Sequence, residues 1–254
     1  MASGWIFKKE VIMRYFKFLT LMFIFIFFFS CHKKEQVINP NAKDYFPLAT
    51  GNYWEYIVYH FEVIAETVFV RNVTYVLLRV DNKSIIKRKE FFKINRYNDE
   101  ENTGYGSFPS QTYYLRVEDE FLLIRGCDGQ GNVLIDTLFH SPNIHNGKPW
   151  YVKGMFFSEE GLPYQAIYAG EEVVNLRMDS FNCVKINYSI DPNEEPGSEE
   201  LYFFEDPEGD IHNLTIWYGE DCGIVKMKAE HIEEPNHKYV YEWILIDYYV
   251  KKEQ

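Results

Sequence analysis

Apolar and polar side chains alternate with a period of two along much of this chain, and no other feature restricts the fold as tightly. Lys185, Asn187 and Ser189 alternate with Val184, Ile186, Tyr188 and Ile190, and Lys226, Lys228 and Glu230 with Val225, Met227 and Ala229. Successive side chains of a strand point to opposite faces, so this pattern predicts strands with one wet and one buried side. Further strands are expected at Tyr53–Phe61, Glu66–Val70, Thr74–Val80, Lys87–Tyr97, Thr112–Val117, Phe121–Arg125 and Val133–Phe139. The series continues with Trp150–Phe157, Tyr164–Tyr168, Glu172–Leu176, Leu201–Phe204, Leu214–Tyr218 and Tyr239–Val250. Turn chemistry separates them, as at Cys127-Asp-Gly-Gln-Gly-Asn132, Arg177-Met-Asp-Ser-Phe181 and Tyr218-Gly-Glu-Asp-Cys-Gly223. Asn98–Ser110 and Ser141–Pro149 read as the longer loops. Many short strands, tight turns and no helical period predict an all-β domain built on one antiparallel, strongly curved sheet, with few or no helices after the N-terminal segment.

Two of the strands are apolar on both faces. Tyr53, Ile57, Tyr59 and Phe61 share one side of the first, and Trp54, Tyr56 and Val58 the other. Tyr241, Trp243 and Leu245 share one side of the last, with Ile244, Ile246 and Tyr248 opposite. Such a sheet needs a second cover, from the chain itself, a partner or an apolar ligand. Trp54, Tyr56, Tyr241 and Trp243 are the candidate ligand-facing aromatics.

The N-terminus carries an address. Phe18–Phe29 is an apolar run of h-region length behind Arg14 and Lys17, too short to span a bilayer comfortably, and it ends at Ser30-Cys31-His-Lys-Lys34. Residues 1–30 read as an export signal, with Met13 as a candidate true start. A small residue followed by cysteine at this position resembles the lipobox of bacterial lipoproteins, although Phe28 and Phe29 depart from its usual leucine and small residue. The resemblance implies cleavage before Cys31 and acylation of that residue; the alternative is an ordinary signal peptide with an incidental cysteine. Residues 31–44 then form a polar, lipidated tether, and residues 45–254 the single domain.

Charge and cysteine usage limit the partners. The chain carries a net charge of −12; removing Lys8, Lys9, Arg14, Lys17 and Glu10 with the signal takes away +3 and leaves −15. That balance argues against nucleic acid and against electrostatic adhesion to acidic headgroups. Asn193–Glu200 and Glu205–Asp210 concentrate acid in Pro- and Gly-broken stretches that read as solvated loops. Cys127, Cys183 and Cys222 leave an odd count beyond Cys31, with a Cys183–Cys222 bridge possible but not demanded by spacing. No CxxC, HExxH or GxSxG occurs, and the seven histidines show no strand spacing that would put two on one face, so neither a metal, a cofactor nor a catalytic residue is expected.

Three stretches carry a wider resemblance. Tyr45-Phe-Pro-Leu-Ala-Thr-Gly-Asn-Tyr-Trp-Glu-Tyr56 resembles the "FPL-x-x-G-N-x-W-x-Y" opening of a broad group of uncharacterised bacterial lipoproteins. Met178–Ile186 resembles that group's "G-T-F-x-x-C-x-K-I" hairpin, and Trp217–Lys226 its "W-Y-x-x-G-V-G-x-V-K" turn. The resemblance implies an incomplete barrel similar to the LolA/LolB carrier superfamily, whose concave face takes acyl chains. Two functions follow as expectations: a non-catalytic outer-membrane lipoprotein, periplasmic or surface-exposed, holding an apolar or amphiphilic ligand on its aromatic concave face; or a structural module joining an envelope protein complex.

Overall fold

The computed structural model describes residues 40–99, 104–106, 108–127, 133–152, 164–190 and 211–251. The signal, Cys31 and the tether up to residue 39 lie outside these residues, as do the turn at 128–132, both acidic stretches, the expected strand Leu201–Phe204 and the second half of Trp150–Phe157.

Among the described residues, twelve strands make one antiparallel, nearly closed barrel-like sheet. They are β1 (Tyr53–Ile64), β2 (Thr67–Ile86), β3 (Lys89–Asp99), β4 (Gln111–Glu118), β5 (Phe121–Cys127), β6 (Val133–His140), β7 (Trp150–Val152), β8 (Tyr164–Asn175), β9 (Ser180–Ile190), β10 (Asn213–Gly219), β11 (Gly223–Glu234) and β12 (His237–Tyr249). The order across the sheet is β6-β5-β4-β3-β2-β1-β12-β11-β10-β9-β8-β7. Two meanders therefore run outward from a central pair formed by the first and last strands. The seam falls between β6 and β7, which are neighbours in sequence.

Side chains tie that seam. The indole of Trp150 donates to the Thr137 carbonyl at 3.2 Å, and the Tyr188 hydroxyl donates to the Leu138 carbonyl at 2.9 Å. Tyr188 also meets the Tyr218 hydroxyl at 3.0 Å inside the core. Before the chain reaches β1 it folds across one end as the short helix α1 (Ala42–Tyr45), and between β6 and β7 it forms α2 (Ser141–Asn146), where a loop is expected from sequence. Pro142 is preset for the first turn of a helix, the His140 ring accepts from Asn143 N, and Gly147 ends the helix at a φ of 61°.

Two expected strand pairs are single strands. Glu66–Val70 and Thr74–Val80 belong to the 20-residue β2, and Tyr164–Tyr168 and Glu172–Leu176 to β8, which is bulged between Tyr168 and Gly170. Such bulges recur around the sheet and bend it toward closure. The core fills the concave side, with Trp54, Tyr56, Phe139, Ile186, Tyr188, Leu214 and Trp243 almost wholly buried.

Candidate functional site

The three resemblance stretches meet at one end of the barrel and close it. Residues 40–52 fold across that end; the expected boundary between tether and domain falls inside α1, whose Ala42 is fully buried. Phe46 stacks on Trp54 at 5.7 Å, and Tyr45 on Phe139 at 5.7 Å. Gly51 supplies the positive φ of the turn into β1, and Asn52 locks it. The Asn52 amide donates to the carbonyls of Pro47 (2.9 Å) and Lys251 (3.1 Å), and its oxygen accepts from Lys251 N (3.0 Å). The Trp54 indole donates to the Cys222 carbonyl at 2.5 Å and the Tyr56 hydroxyl to the Ile224 carbonyl at 2.9 Å, so the opening motif holds the β10–β11 turn. In that turn Gly219 has no room for a side chain: a Cβ there would stand 2.5 Å from Val225 Cγ2. Gly223 takes a φ of 107° directly against the Trp54 indole.

These contacts decide how the four candidate aromatics sit. Trp54, Tyr56, Tyr241 and Trp243 all face the concave interior, and all are buried by the protein itself. Tyr56 and Trp243 pack with ring centroids 5.6 Å apart. The cavity lined by Phe46, Trp54, Tyr56, Leu78 and Ile94 holds about 20 Å³, room for about one water molecule. Burial also pushes the Tyr56 phenol well above its ordinary pKa, which keeps it a neutral donor.

Further along the interior the lining becomes polar. The Arg96 guanidinium lies 5.0 Å over the Trp243 ring and donates to Asn98 Oδ1 at 2.8 Å. His60 stacks on Tyr241 at 4.5 Å, His231 on Tyr239 at 6.0 Å, and the His212 and His231 rings stand 5.4 Å apart. Sequence reasoning leaves His60 and Arg96 out of the candidate set. The signal for Arg96 is its place in register with Leu78 of β2, itself an interior position. Among the described residues no three His, Cys, Asp or Glu side chains gather as a metal site. Cys183 and Cys222 are free thiols rather than a bridge, and burial pushes each up to about 12, far from the thiolate a nucleophile needs.

The opposite end is an arm. β1 continues to Ile64 and turns through Ala65 and Glu66 into the first half of β2, where Val68, Phe69 and Val70 are exposed. β11 and β12 accompany it to their own turn, and Ala65 N donates to the Asn236 carbonyl across the two tips at 2.9 Å. On the outer face Tyr59 and Phe61 stack at 5.8 Å beside Val63, Val68, Val70 and Val73. Buried Glu62 is clamped by Arg71 and by His237, the latter at 2.9 Å.

No protein-family model matches the sequence, and no curated protein matches it. Among solved structures the chain is similar to that of a candidate lipoprotein from Parabacteroides distasonis, with 11% identity over 81% of this chain and 98% of that one, and a TM-score of 0.43. It is also similar to a candidate exported protein with a YmcC-like fold from Bacteroides fragilis, with 11% identity over 80% of this chain and 98% of that one, and a TM-score of 0.41.

Proposed function

We propose that this chain is an exported lipoprotein of the cell envelope, anchored in the outer membrane through Cys31, whose domain works by protein contact and without catalysis. One observation carries the second half of that reading. The concave aromatics Trp54, Tyr56, Tyr241 and Trp243 are buried by the chain's own side chains, while apolar Val68, Phe69 and Val70 stand in solvent on the arm. Soluble proteins rarely leave contiguous apolar surface uncovered unless something binds there. The reading of a LolA/LolB-like acyl carrier needs concave space, and the cavity that Trp54 and Tyr56 line is about the size of one water.

Support for the anchor is the Phe18–Phe29 run followed by Ser30-Cys31. Metabolic labelling with an alkyne fatty acid tests it: the wild-type chain takes the label and Cys31→Ala does not, and an unlabelled wild type overturns the anchor. A photo-reactive residue at Phe69 tests the contact reading in intact cells. A discrete cross-linked protein band supports it. Absence of any band, with lipid co-purifying in native mass spectrometry, would return the acyl-carrier reading to first place.

A further inference from the structure

Among the described residues, the arm leaves one strand edge bare. β2 pairs with β1 along Thr67–Thr74 but meets β3 only from Tyr75 onward. Among the described residues no strand lies on the far side of 67–74. Exposure agrees, at 59% for Val68, 47% for Phe69 and 61% for Val70. An edge of this kind presents a row of backbone donors and acceptors, and natural sheets normally blunt it with charge, proline or a bulge.

Among the described residues, the edge of β8 beyond β7 is blunted in that way. Among the described residues β7 covers β8 only at Tyr164–Ala166, and the remainder carries a bulge at Ala169, followed by Gly170 at a φ of 107°, Glu171 and Glu172. The β2 edge has no proline, glycine or acid from Thr67 to Thr74. Its one charge, Arg71, is the bulged residue and is drawn back onto Glu62. That leaves the edge apolar and β-branched, the composition that pairs most readily with another strand.

The order of residues says which strand. The segment reads Thr67-Val68-Phe69-Val70-Arg71-Asn72-Val73-Thr74, beginning Thr-Val and ending Val-Thr. In a regular strand, residues five apart face opposite ways. The bulge at Arg71 cancels that offset: Val68 and Val73 pair with the outward Val63 and Tyr59, whereas Phe69 and Asn72 pair with the inward Glu62 and His60. Thr67 and Thr74 pair with Ile64 and Val58, also on the inward side. Two copies laid antiparallel therefore match Thr67 with Thr74, Val68 with Val73 and Phe69 with Asn72, each on a common face. Threonine pairs and β-branched pairs are favourable cross-strand neighbours, and no like charges come opposite each other.

We propose that this protein self-associates through the β2 edge, two copies pairing Thr67–Thr74 antiparallel about a two-fold axis near Val70 and Arg71. The interface is isologous, so it closes at two copies and uses up the β2 edge of both. This deepens the contact reading above and rests on it, naming a second copy as the partner.

The test is register-specific disulfide trapping with full-length chains in intact cells. Val68→Cys and Val73→Cys chains are expressed together, and each is also expressed alone. Directly opposed residues of an antiparallel pair lie about 4.5–5.5 Å apart, within disulfide reach. The pairing sets the introduced thiol of one variant opposite that of the other, whereas two copies of the same variant hold their thiols several residues apart. A band at twice the chain mass is expected on non-reducing gels from the co-expressed pair, with neither single variant forming it. Lack of that band in the pair overturns the proposal, as does equal banding of the single variants or exclusive linkage to a different protein. Linkage to a different protein would leave the contact reading standing, so the two can fail separately. As a second measure, Val68→Lys with Val73→Lys opposes two lysines at each end and is expected to convert the detergent-purified chain to monomer by light scattering. Wild type that is itself a monomer at micromolar concentration in that measurement overturns the proposal.

Discussion

The two ends of the barrel are built from the same kinds of residue and put them to opposite use. At the closed end Trp54 and Tyr56 lie on the concave face of β1, packed and with their polar atoms given to backbone carbonyls. At the arm Phe69 and Val70 meet water. Phe69 pairs with Glu62, which stands about 26 Å from Trp54 if β1 rises about 3.3 Å per residue. Hydrophobicity alone does not distinguish the two ends. What differs is whether the chain returns to cover them: residues 40–52 and the β10–β11 turn fold over the first set, and among the described residues nothing does so for the second. The closed end is therefore expected to hold the stability of the domain and the arm to be free for contact.

The sharpest way to break that division is to cut one large residue from each end. Trp54→Ala removes a fully buried ring and orphans the Cys222 carbonyl; a loss of about 3–5 kcal/mol is expected in urea unfolding. Phe69→Ala, at an exposed position, is expected within about 0.5 kcal/mol of wild type when both are monomeric. Equal losses would remove the distinction between the ends.

Next in size is Asn52, a small polar residue with no solvent exposure. Asn52→Leu keeps the branched shape but strips three hydrogen bonds that join residue 47 to residue 251. Buried groups left unsatisfied cost about 1–3 kcal/mol, so a destabilisation in that range is expected, with faster exchange of amides in 45–53. The seam should respond more mildly. Tyr188→Phe removes the donor to Leu138 and the partner of Tyr218, and about 1–2 kcal/mol is expected, read as loss of protection at β6 rather than along β1.

The sequence announces the closed end far better than the arm. Alternation identifies nearly every described strand, and Gly51-Asn52 marks the turn into β1, because both signals are local. The bends are different. The hairpin tips at Ala65-Glu66 and Lys87-Arg88 place four non-glycine residues at positive φ, between 46° and 71°, where sequence reasoning expects Asn-Gly. The bulge at Arg71 also interrupts the alternation, so β2 breaks into two short strands on paper, and the arm disappears with it. Nor does alternation tell which of two apolar faces the chain will cover. Trp54 and Phe61 read alike as strand aromatics; only the long-range pairing of β1 with β12 and the return of residues 40–52 separates core from surface.

The smallest expected effect concerns acid, and it again separates the ends. The contacts of Asn52, Trp54 and Tyr56 at the closed end are uncharged, whereas the arm carries Glu230 between Lys228 (2.8 Å) and Lys238 (3.0 Å) on its outer face. Burial alone would raise the Glu230 carboxyl, but the two ammonium groups outweigh it and hold the group below its ordinary value of 4.5. A carboxylate depressed in the folded state contributes stability that is complete above its unfolded pKa and is lost as pH falls through the folded one. Partly exposed pairs of this kind are worth at most about 1 kcal/mol each, so global unfolding should shift little between about pH 7 and pH 4. Local opening need not be global, however, and the arm has few buried contacts to resist it. On lowering the pH below about 4, amide exchange, corrected for its intrinsic pH dependence, is expected to quicken at Glu230–Val240 before it changes at Asn52–Tyr56. Simultaneous loss of protection at both would mean that the barrel opens as one unit and that the arm is no weaker than the end that closes it.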